Sequence, residues 1–381
     1  MRILLFLYLW FSNISNYSQN INIRIYENKV IDTFEFTAVE GRYDIIAKDS
    51  ILRVVEQGEK LLFTIRKGKI NIEIDNELVS VDSFLLLRAS HQSNYFKISS
   101  PNKVFKSREF DNELYVKYKN NNFELINDVN FDKYIAGVVE AEGGAKAPIE
   151  YYKAQAVLCR TYAARYYQKH LHEGYNLCSG VHCQAYNGRC SNQFILKSAI
   201  ETTGLIIVDS EQKIISATFY ANSGGQTVTA EDLWNTPHSY LQSKHDPYSI
   251  GKPGDVWSKE FQLADWKKYL SSKGYAVSDS VGYSFYQPNR LRYFTYNGND
   301  SLLELKTMRT DLKLRSTYFS VEQVDNKIVL KGRGYGHGVG LSQEGAMEMA
   351  RQNFTYDKII KFYFTGVQLK NITSVSFFQI E

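Results

Sequence analysis

Between residues 19 and 111, apolar and polar positions alternate in short runs. Segments 22–26, 43–47, 61–66, 70–74 and 83–88 each send every second side chain to one face, and Gly58-Glu59-Lys60 and Arg66-Lys67-Gly68 punctuate them. Period-two alternation bounded by turn residues predicts half-buried strands. No cluster of chemically reactive side chains gathers in this stretch, and neither a fixed-period repeat nor a low-complexity tract is present.

The character changes at Leu114. Two strand-like pieces, 114–118 and 123–127, lead into a period of 3.6 residues over 132–142 and again over 148–167. In the first helix Ile135, Val138 and Val139 form the apolar face, Asp132 is the expected N-cap and Gly143-Gly144 the expected stop. Pro148 suits the first turn of the second helix. Its apolar stripe is Tyr152, Ala156, Cys159 and Ala163, while Lys153, Gln155 and Arg160 are polar residues among small ones. Lys153 and Arg160 lie seven apart and share a face, which reads either as a solvated surface or as part of a site. Further strands are expected at 205–208, 214–220, 302–306 and 327–330, and short helices at 343–352 and 356–362. The pattern predicts an α+β protein with a strand-rich region at 19–111, a mixed core at 112–371 and a tail at 372–381.

Composition narrows the class. At 381 residues, with 44% hydrophobic and 23% charged side chains, the chain has an ordinary globular balance, which argues against wholesale disorder, collagen and a multi-span membrane protein. Its 28 Tyr and 22 Phe against 6 Pro favour strands. With 45 basic and 41 acidic residues the net charge is only +4, no footprint for nucleic acid. Four Cys are too few for a disulfide scaffold. At the N-terminus, Arg2 precedes an apolar run at 3–11, shorter than the ~20 residues that span a bilayer. Asn16, Tyr17 and Ser18 then turn polar. This pattern predicts a signal peptide at 1–18 and an exported, periplasmic or envelope-associated product; the alternative is a buried N-terminal strand. No Cys at the junction invites a lipid anchor, and no later segment reaches membrane-helix length.

Four motifs carry a resemblance. Tyr134-Ile-Ala-Gly-Val-Val-Glu-Ala-Glu142 followed by Lys153-Ala-Gln-Ala-Val-Leu-Cys-Arg-Thr-Tyr-Ala163, then Tyr220-Ala-Asn-Ser-Gly-Gly-Gln-Thr227, Gly334-Tyr-Gly-His-Gly-Val-Gly-Leu-Ser-Gln-Glu-Gly-Ala346 and Ile359-Ile-Lys-Phe-Tyr-Phe-Thr-Gly366 occur in this order. Together they resemble the SpoIID/LytB family, which includes stage II sporulation protein D and the amidase enhancer, across roughly 112–367. Known catalytic members are lytic transglycosylases acting on peptidoglycan, and the resemblance puts the family's catalytic glutamate on Glu142. Members often have Met-Pro after this residue; Gly143-Gly144 departs from that and would loosen the loop carrying the carboxylate.

The chemistry asked of Glu142 is modest in its needs. A lytic transglycosylase protonates the glycosidic oxygen with one carboxylic acid, and the sugar's own 6-hydroxyl closes a 1,6-anhydro ring. No water nucleophile is needed, so a second carboxylate is not obligatory as it is in ordinary hydrolases. Apolar surroundings, with Val138 and Val139 beside it, would raise the acid from about 4.3 towards about 6. Glu140 is the rival; two residues apart on a helix, the two carboxylates face opposite sides, which leaves Glu140 as a solvated charge.

Gly332, Gly334, Gly336, Gly338 and Gly340 alternate, but no register gives G-x-G-x-x-G and no Gly-Lys-Ser/Thr follows, so this is not a phosphate loop. The alternation predicts close backbone approach to another surface, a glycan strand among the options. His337 inside it is a candidate second catalytic or sugar-binding group, against a structural hydrogen-bonding histidine. Lys153, Gln155, Arg160, Ser223, Gln226, His337, Ser342 and Gln343 are candidate substrate-contacting or supporting residues. A Ser/His hydrolase using Ser223 or Ser342 lacks the Gly-x-Ser-x-Gly elbow.

His170, His172, Cys178, His182, Cys183 and Cys190 fall within 21 residues. His172, Cys178, His182 and Cys183 can form a closed, structural two-Cys two-His zinc site, as some members of the resembled family have in this loop. A Cys178–Cys183 or Cys183–Cys190 disulfide is the alternative in an exported protein, and Cys159 reads as a buried thiol. The resemblance implies peptidoglycan glycan strands as the partner, and a cell-wall amidase if the protein is instead a non-catalytic, glycan-binding activator. A purely structural envelope protein is the third reading.

Overall fold

The computed structural model describes residues 20–74, 77–144, 146–277, 282–295 and 302–374. The expected signal segment 1–18 lies outside them, as does most of the expected tail. The chain forms two compact units that meet in sequence at Tyr134/Ile135. The fold is α+β with a strand-rich N-terminal part, as the pattern predicts.

Among the described residues, twelve antiparallel strands build the first unit: β1 (Asn20–Ile25), β2 (Thr33–Glu40), β3 (Tyr43–Ala47), β4 (Ser50–Val55), β5 (Lys60–Arg66), β6 (Lys69–Ile74), β7 (Glu77–Val81), β8 (Phe84–Ala89), β9 (Tyr95–Ser99), β10 (Arg108–Asp111), β11 (Glu113–Lys119) and β12 (Asn122–Asn130). They pair in the orders β1-β12-β11-β8-β3-β4 and β10-β9-β2-β5-β6-β7. The alternation is literal in β2, where Phe34, Phe36 and Ala38 are buried and their neighbours are not. Phe36 meets Tyr43 edge-on at 5.2 Å, and Phe34 meets Phe123 at 5.0 Å. Aromatic side chains from the two sheets thus interlock in one sandwich core. The strands β11 and β12, expected to open the second region, belong to this unit.

The helices of the second unit begin with α1 (Phe131–Gly143), whose chain enters from the first, and α2 (Ile149–Arg165). The α1 cap is Asn130 rather than Asp132: its Oδ1 accepts from the backbone N–H of Asp132 and Lys133 at 3.1 and 3.2 Å. A short strand β13 (Leu177–Cys178), α3 (Gln193–Glu201), β14 (Leu205–Val208) and β15 (Phe219–Tyr220) follow, then α4 (Ala230–Trp234). The expected strand at 214–220 shrinks to β15. A three-stranded antiparallel sheet, β16 (Val256–Gln262), β19 (Tyr318–Val324) and β20 (Lys327–Arg333) in the order β16-β20-β19, covers α5 (Leu263–Ser272) and α6 (Leu305–Asp311) over a core around Trp266, Phe285, Phe294 and Phe319. Where a strand was expected at 302–306, only β18 (Leu303–Glu304) forms, paired with β17 (Tyr293–Phe294), before α6 starts. The chain closes with β21 (Leu341–Ser342), α7 (Gln343–Arg351), α8 (Tyr356–Tyr363) and β22 (Gln368–Asn371).

The glycine alternation is spent inside the protein. Strands β15 and β21 run parallel, and Tyr335 bridges Asn222. A Cβ on Gly340 would stand 2.3 Å from the Thr218 carbonyl oxygen, and one on Gly336 2.6 Å from the Tyr220 Cβ. For Gly334, Gly336 and Gly340 the close surface is the 218–224 segment, while Gly332 lies against Trp257 and Gly338 against Arg290. Gly340 also sits at φ +83°, whereas Gly366, at φ +69°, has open space where its Cβ would go. Gly340→Ala is therefore expected to cost about 3 kcal/mol or more, and Gly366→Ala about 1 kcal/mol, in denaturant unfolding; equal costs would contradict the packing account.

Candidate active site

Glu142 ends α1 in its last helical turn, half-buried. One carboxylate oxygen accepts from the Ala185 backbone N–H at 3.1 Å, and the Glu142 carbonyl accepts from the Gln343 side-chain amide at 3.1 Å. Burial raises its pKa above the ordinary carboxylate value, and the Ala185 N–H partly opposes this. Among the described residues no lysine or arginine pairs with it. The approach of Ala185 depends on Gly137, where a Cβ would lie 2.3 Å from the Gly188 carbonyl oxygen; the absent side chain lets the 186–188 segment rest on α1.

The Gly143-Gly144 departure does not leave this end loose. Gly143 makes room for Tyr151, whose hydroxyl would sit 2.9 Å from a Cβ there, and Gly144 takes φ +71°. Tyr152 then pins the turn: its hydroxyl donates to the Gly144 carbonyl at 3.3 Å and accepts from the Ala147 N–H at 2.8 Å.

Glu140 is no solvated charge. Its carboxylate accepts from the Ser191 N–H at 3.1 and 3.2 Å, the Ser191 hydroxyl at 2.9 Å and the Asn192 N–H at 2.9 Å. It anchors the segment entering α3, facing away from Glu142. Lys153 is spent on ion pairs to Glu150 at 3.1 Å and Glu201 at 2.9 Å. Arg160 is fully buried and donates to the Ala199 carbonyl at 2.8 Å, near the C-terminal end of α3. The face these two share is turned to α3, neither to solvent nor to a substrate. Gln155 is likewise buried, its amide directed at the Cys159 sulfur at 3.6 Å; burial pushes that thiol up to about 12.

Ser223, Ser342 and His337 hold the two glycine motifs together. The buried Ser223 hydroxyl donates to Asp246 Oδ2 at 2.7 Å and sits 2.5 Å from the Ser249 hydroxyl. Ser342 Oγ accepts from the Ser223 N–H at 3.2 Å and caps α7 at Gly345. Both ring nitrogens of His337 are committed: Nδ1 accepts from the Val339 N–H at 3.1 Å, so Nε2 carries the proton and donates to the Phe219 carbonyl at 3.0 Å. Neither Ser223 nor Ser342 pairs with His337. Gln226 bridges the Arg290 N–H at 2.9 Å and the Ser243 hydroxyl at 3.2 Å. Of the residues proposed beside Glu142, Gln343 is the one whose side chain touches it.

The Cys/His cluster gathers, with one exchange. Donor atoms of His170, Cys178, His182 and Cys183 all lie within 4.8 Å of one another. His172 lies outside, 76% exposed on a short turn. His170 takes its place because Glu173 Oε1 holds its Nδ1 at 2.6 Å, aiming Nε2 at the Cys183 sulfur 3.5 Å away. A carboxylate behind a histidine is the usual outer support of a metal ligand. Tetrahedral zinc with Zn–S near 2.3 Å and Zn–N near 2.0–2.1 Å implies donor–donor edges of about 3.5–4 Å. The sulfur–nitrogen separations of 3.5, 3.8 and 4.0 Å fit. All four cysteines are free thiols, and Cys190 instead donates to the Asn192 carbonyl at 3.4 Å. The cluster ends at Cys183, two residues before Ala185. Sequence reasoning missed His170 and Ala185; spacing alone does not choose between two histidines in His-x-His, and a backbone donor leaves no residue-type signal.

A family model described as stage II sporulation protein, SpoIID, matches residues 119–208, the segment that holds Glu142 and the cluster. Stage II sporulation protein D of Bacillus subtilis strain 168 is 29% identical over 262 residues, covering 65% of this chain and 76% of the relative. An uncharacterised Brachyspira hyodysenteriae protein is 28% identical over 271 residues, covering 69% and 72%. The Bacillus subtilis amidase enhancer is 25% identical over 288 residues, covering 62% of this chain and 40% of its own. The likeness to the SpoIID/LytB family read from the four motifs therefore holds.

Two outcomes follow. Glu140→Ala removes an anchor with three donors and is expected to lower stability by about 1–3 kcal/mol in denaturant melts; an unchanged midpoint would contradict the anchoring role. Burial holds His337 down to about 4, so the unfolded chain binds its proton first. The stability His337 contributes is complete above about 6.5 and drains away as pH falls from there towards 4, by on the order of 3 kcal/mol. A pH series of unfolding free energies on wild type and His337→Phe should differ in that window and converge in shape above it.

Proposed function

We propose that this protein acts on the bacterial cell wall as a lytic transglycosylase, cleaving peptidoglycan glycan strands to 1,6-anhydro ends with Glu142 as general acid and then general base. The observation that carries this reading is the half-buried carboxyl of Glu142, raised by desolvation and steered by one backbone N–H. In its protonated form it gives a proton to the glycosidic oxygen. As a carboxylate it takes one from the sugar's 6-hydroxyl, which closes the anhydro ring, so protons balance without a water nucleophile. The reading includes export to the cell envelope. Among the described residues no helix is long and apolar enough to cross a membrane.

Zinc on His170, Cys178, His182 and Cys183 belongs to this proposal as a structural brace. It would fix the loop that delivers the Ala185 N–H, and Glu173 would orient His170. Contact with the Cys178 thiol, more than the Lys169 charge, lowers the Cys183 thiol to about 6, so a thiolate is available to a metal near neutrality. The protein is expected to carry one equivalent of zinc under reducing conditions, lost in His170→Ala and kept in His172→Ala. Metal-free protein with a Cys178–Cys183 crosslink in a peptide map would replace the brace by a disulfide.

Glu142→Gln keeps shape and polar contacts but has no transferable proton. Release of anhydro ends from stem-free glycan should fall by ~10²–10⁴-fold, with glycan binding retained. The same change relieves a buried charge, so its melting temperature should sit above wild type at pH 7 and converge with it near pH 4, where the wild-type carboxyl is neutral. Similarity to the amidase enhancer favours a second reading, a non-catalytic glycan-binding activator of an amidase. Wild type that binds glycan, releases no anhydro ends and stimulates an amidase would establish it instead.

A further inference from the structure

The sheet β16-β20-β19 has one face on its core and one face open, and the open face is hollow. Antiparallel pairing sets Ser258 and Ser320 on either side of Lys331, and Val256 beside Arg333. Phe285 extends the sheet by bridging Val321, which puts Tyr286 next to Ser320. Short hydroxyl side chains make the floor. Tyr286, 75% exposed, and Val256, 68% exposed, stand as walls. The hollow has a volume of about 820 Å³, and a second of about 300 Å³ adjoins it across Val256, Trp257 and Ser258.

Two guanidiniums stand on the rims of these hollows. Arg333, on the rim of the larger, lies 5.5 Å over the Tyr318 ring, and Arg315, on the rim of the smaller, lies 5.7 Å over the Tyr335 ring. Among the described residues neither guanidinium has a side-chain hydrogen bond or an ion pair. A guanidinium lying over a ring face and without a carboxylate partner keeps its N–H donors for a planar acceptor such as a carboxylate. The other charges along the face pair off, Lys331 with Glu322 at 2.6 Å and Lys327 with Glu260 at 2.9 Å. An exposed aromatic wall offers the apolar face of a sugar ring a surface to stack on, serine hydroxyls match its hydroxyl groups, and the guanidiniums match an acidic substituent. The occupant that uses all three is an acidic saccharide strand.

We propose that this open sheet face is a second, non-catalytic glycan-binding trough that takes a strand bearing carboxylates. It rests on the reading that the protein works on peptidoglycan glycan. Its basic end runs on through Gly334 into the turn that reaches Gln343 and the Glu142 carbonyl, so a strand held here is tethered to the same unit that carries the acid.

The test uses the full chain, stem-free glycan strands with one free carboxylate per disaccharide, and neutral chitohexaose. Calorimetric affinity is measured for wild type and the Tyr286→Ala/Arg333→Gln double variant, with the Trp257 indole N–H resonance as a local reporter. The expected result is strand affinity at least ~10-fold weaker in the double variant at an unchanged melting temperature, and chitohexaose at least ~10-fold weaker than the strand on wild type. Strand binding by the double variant equal to wild type, equal affinity for chitohexaose, or a Trp257 resonance that stays put at saturation would overturn the trough. Anhydro-end release from short fragments is recorded in parallel. Loss of binding without any such release by wild type would keep the trough and remove the transglycosylase reading; release with unaltered binding in the double variant would do the reverse.

Discussion

One hydrogen bond, from the Ala185 backbone N–H to the Glu142 carboxylate, sets the terms for the rest of the second unit. Burial favours the protonated acid and this donor favours the anion, and burial is the stronger of the two, so the carboxyl is held above its ordinary value. The bond is long-range, and every part of it needs separate support. Gly137 allows the approach, the Cys/His cluster ends two residues away, Tyr152 fixes the turn beyond the carboxylate, and Gln343 holds the carbonyl behind it.

That support explains why so much polarity is buried. Arg160, Ser223, Ser342 and Asp246 are all buried, and each has partners within the protein. Removing one partner would leave the other unpaired, at about 1–3 kcal/mol. These residues act on the site through the backbone they hold. His337 belongs with them: desolvation keeps its ring neutral and its two nitrogens lock the tautomer between Phe219 and Val339. Its place in a glycine-rich motif reflects the closeness of two backbones rather than an acid or a base.

The sequence made some of this legible and hid the rest for definable reasons. Helices α1 and α2 stood out because their apolar stripes and Gly or Pro boundaries agree, and the alternating strands of the first unit because one face of each is dry. The expected strand at 302–306 gave way to α6 because short apolar runs do not distinguish helix from strand. Glu142 and the cysteines of the cluster could be named from residue type and motif. Lys153 and Arg160 were correctly placed on one face, yet only tertiary structure shows that α3 covers it. His170 displaced His172 through a carboxylate three residues on, an orientation effect that spacing does not encode. The 111/112 boundary fell short because β11 and β12 find their partners in the preceding sheet.

In the proposed reaction at Glu142 a sugar hydroxyl, not water, closes the new ring. Digestion of stem-free glycan in water enriched in heavy oxygen tests it directly, with the new ends weighed by mass spectrometry. The expected products are anhydro ends that are one water lighter than hydrolysis products and carry no heavy oxygen. Reducing ends bearing one heavy oxygen each would contradict this reaction, because they would require a water nucleophile and a second group to activate it.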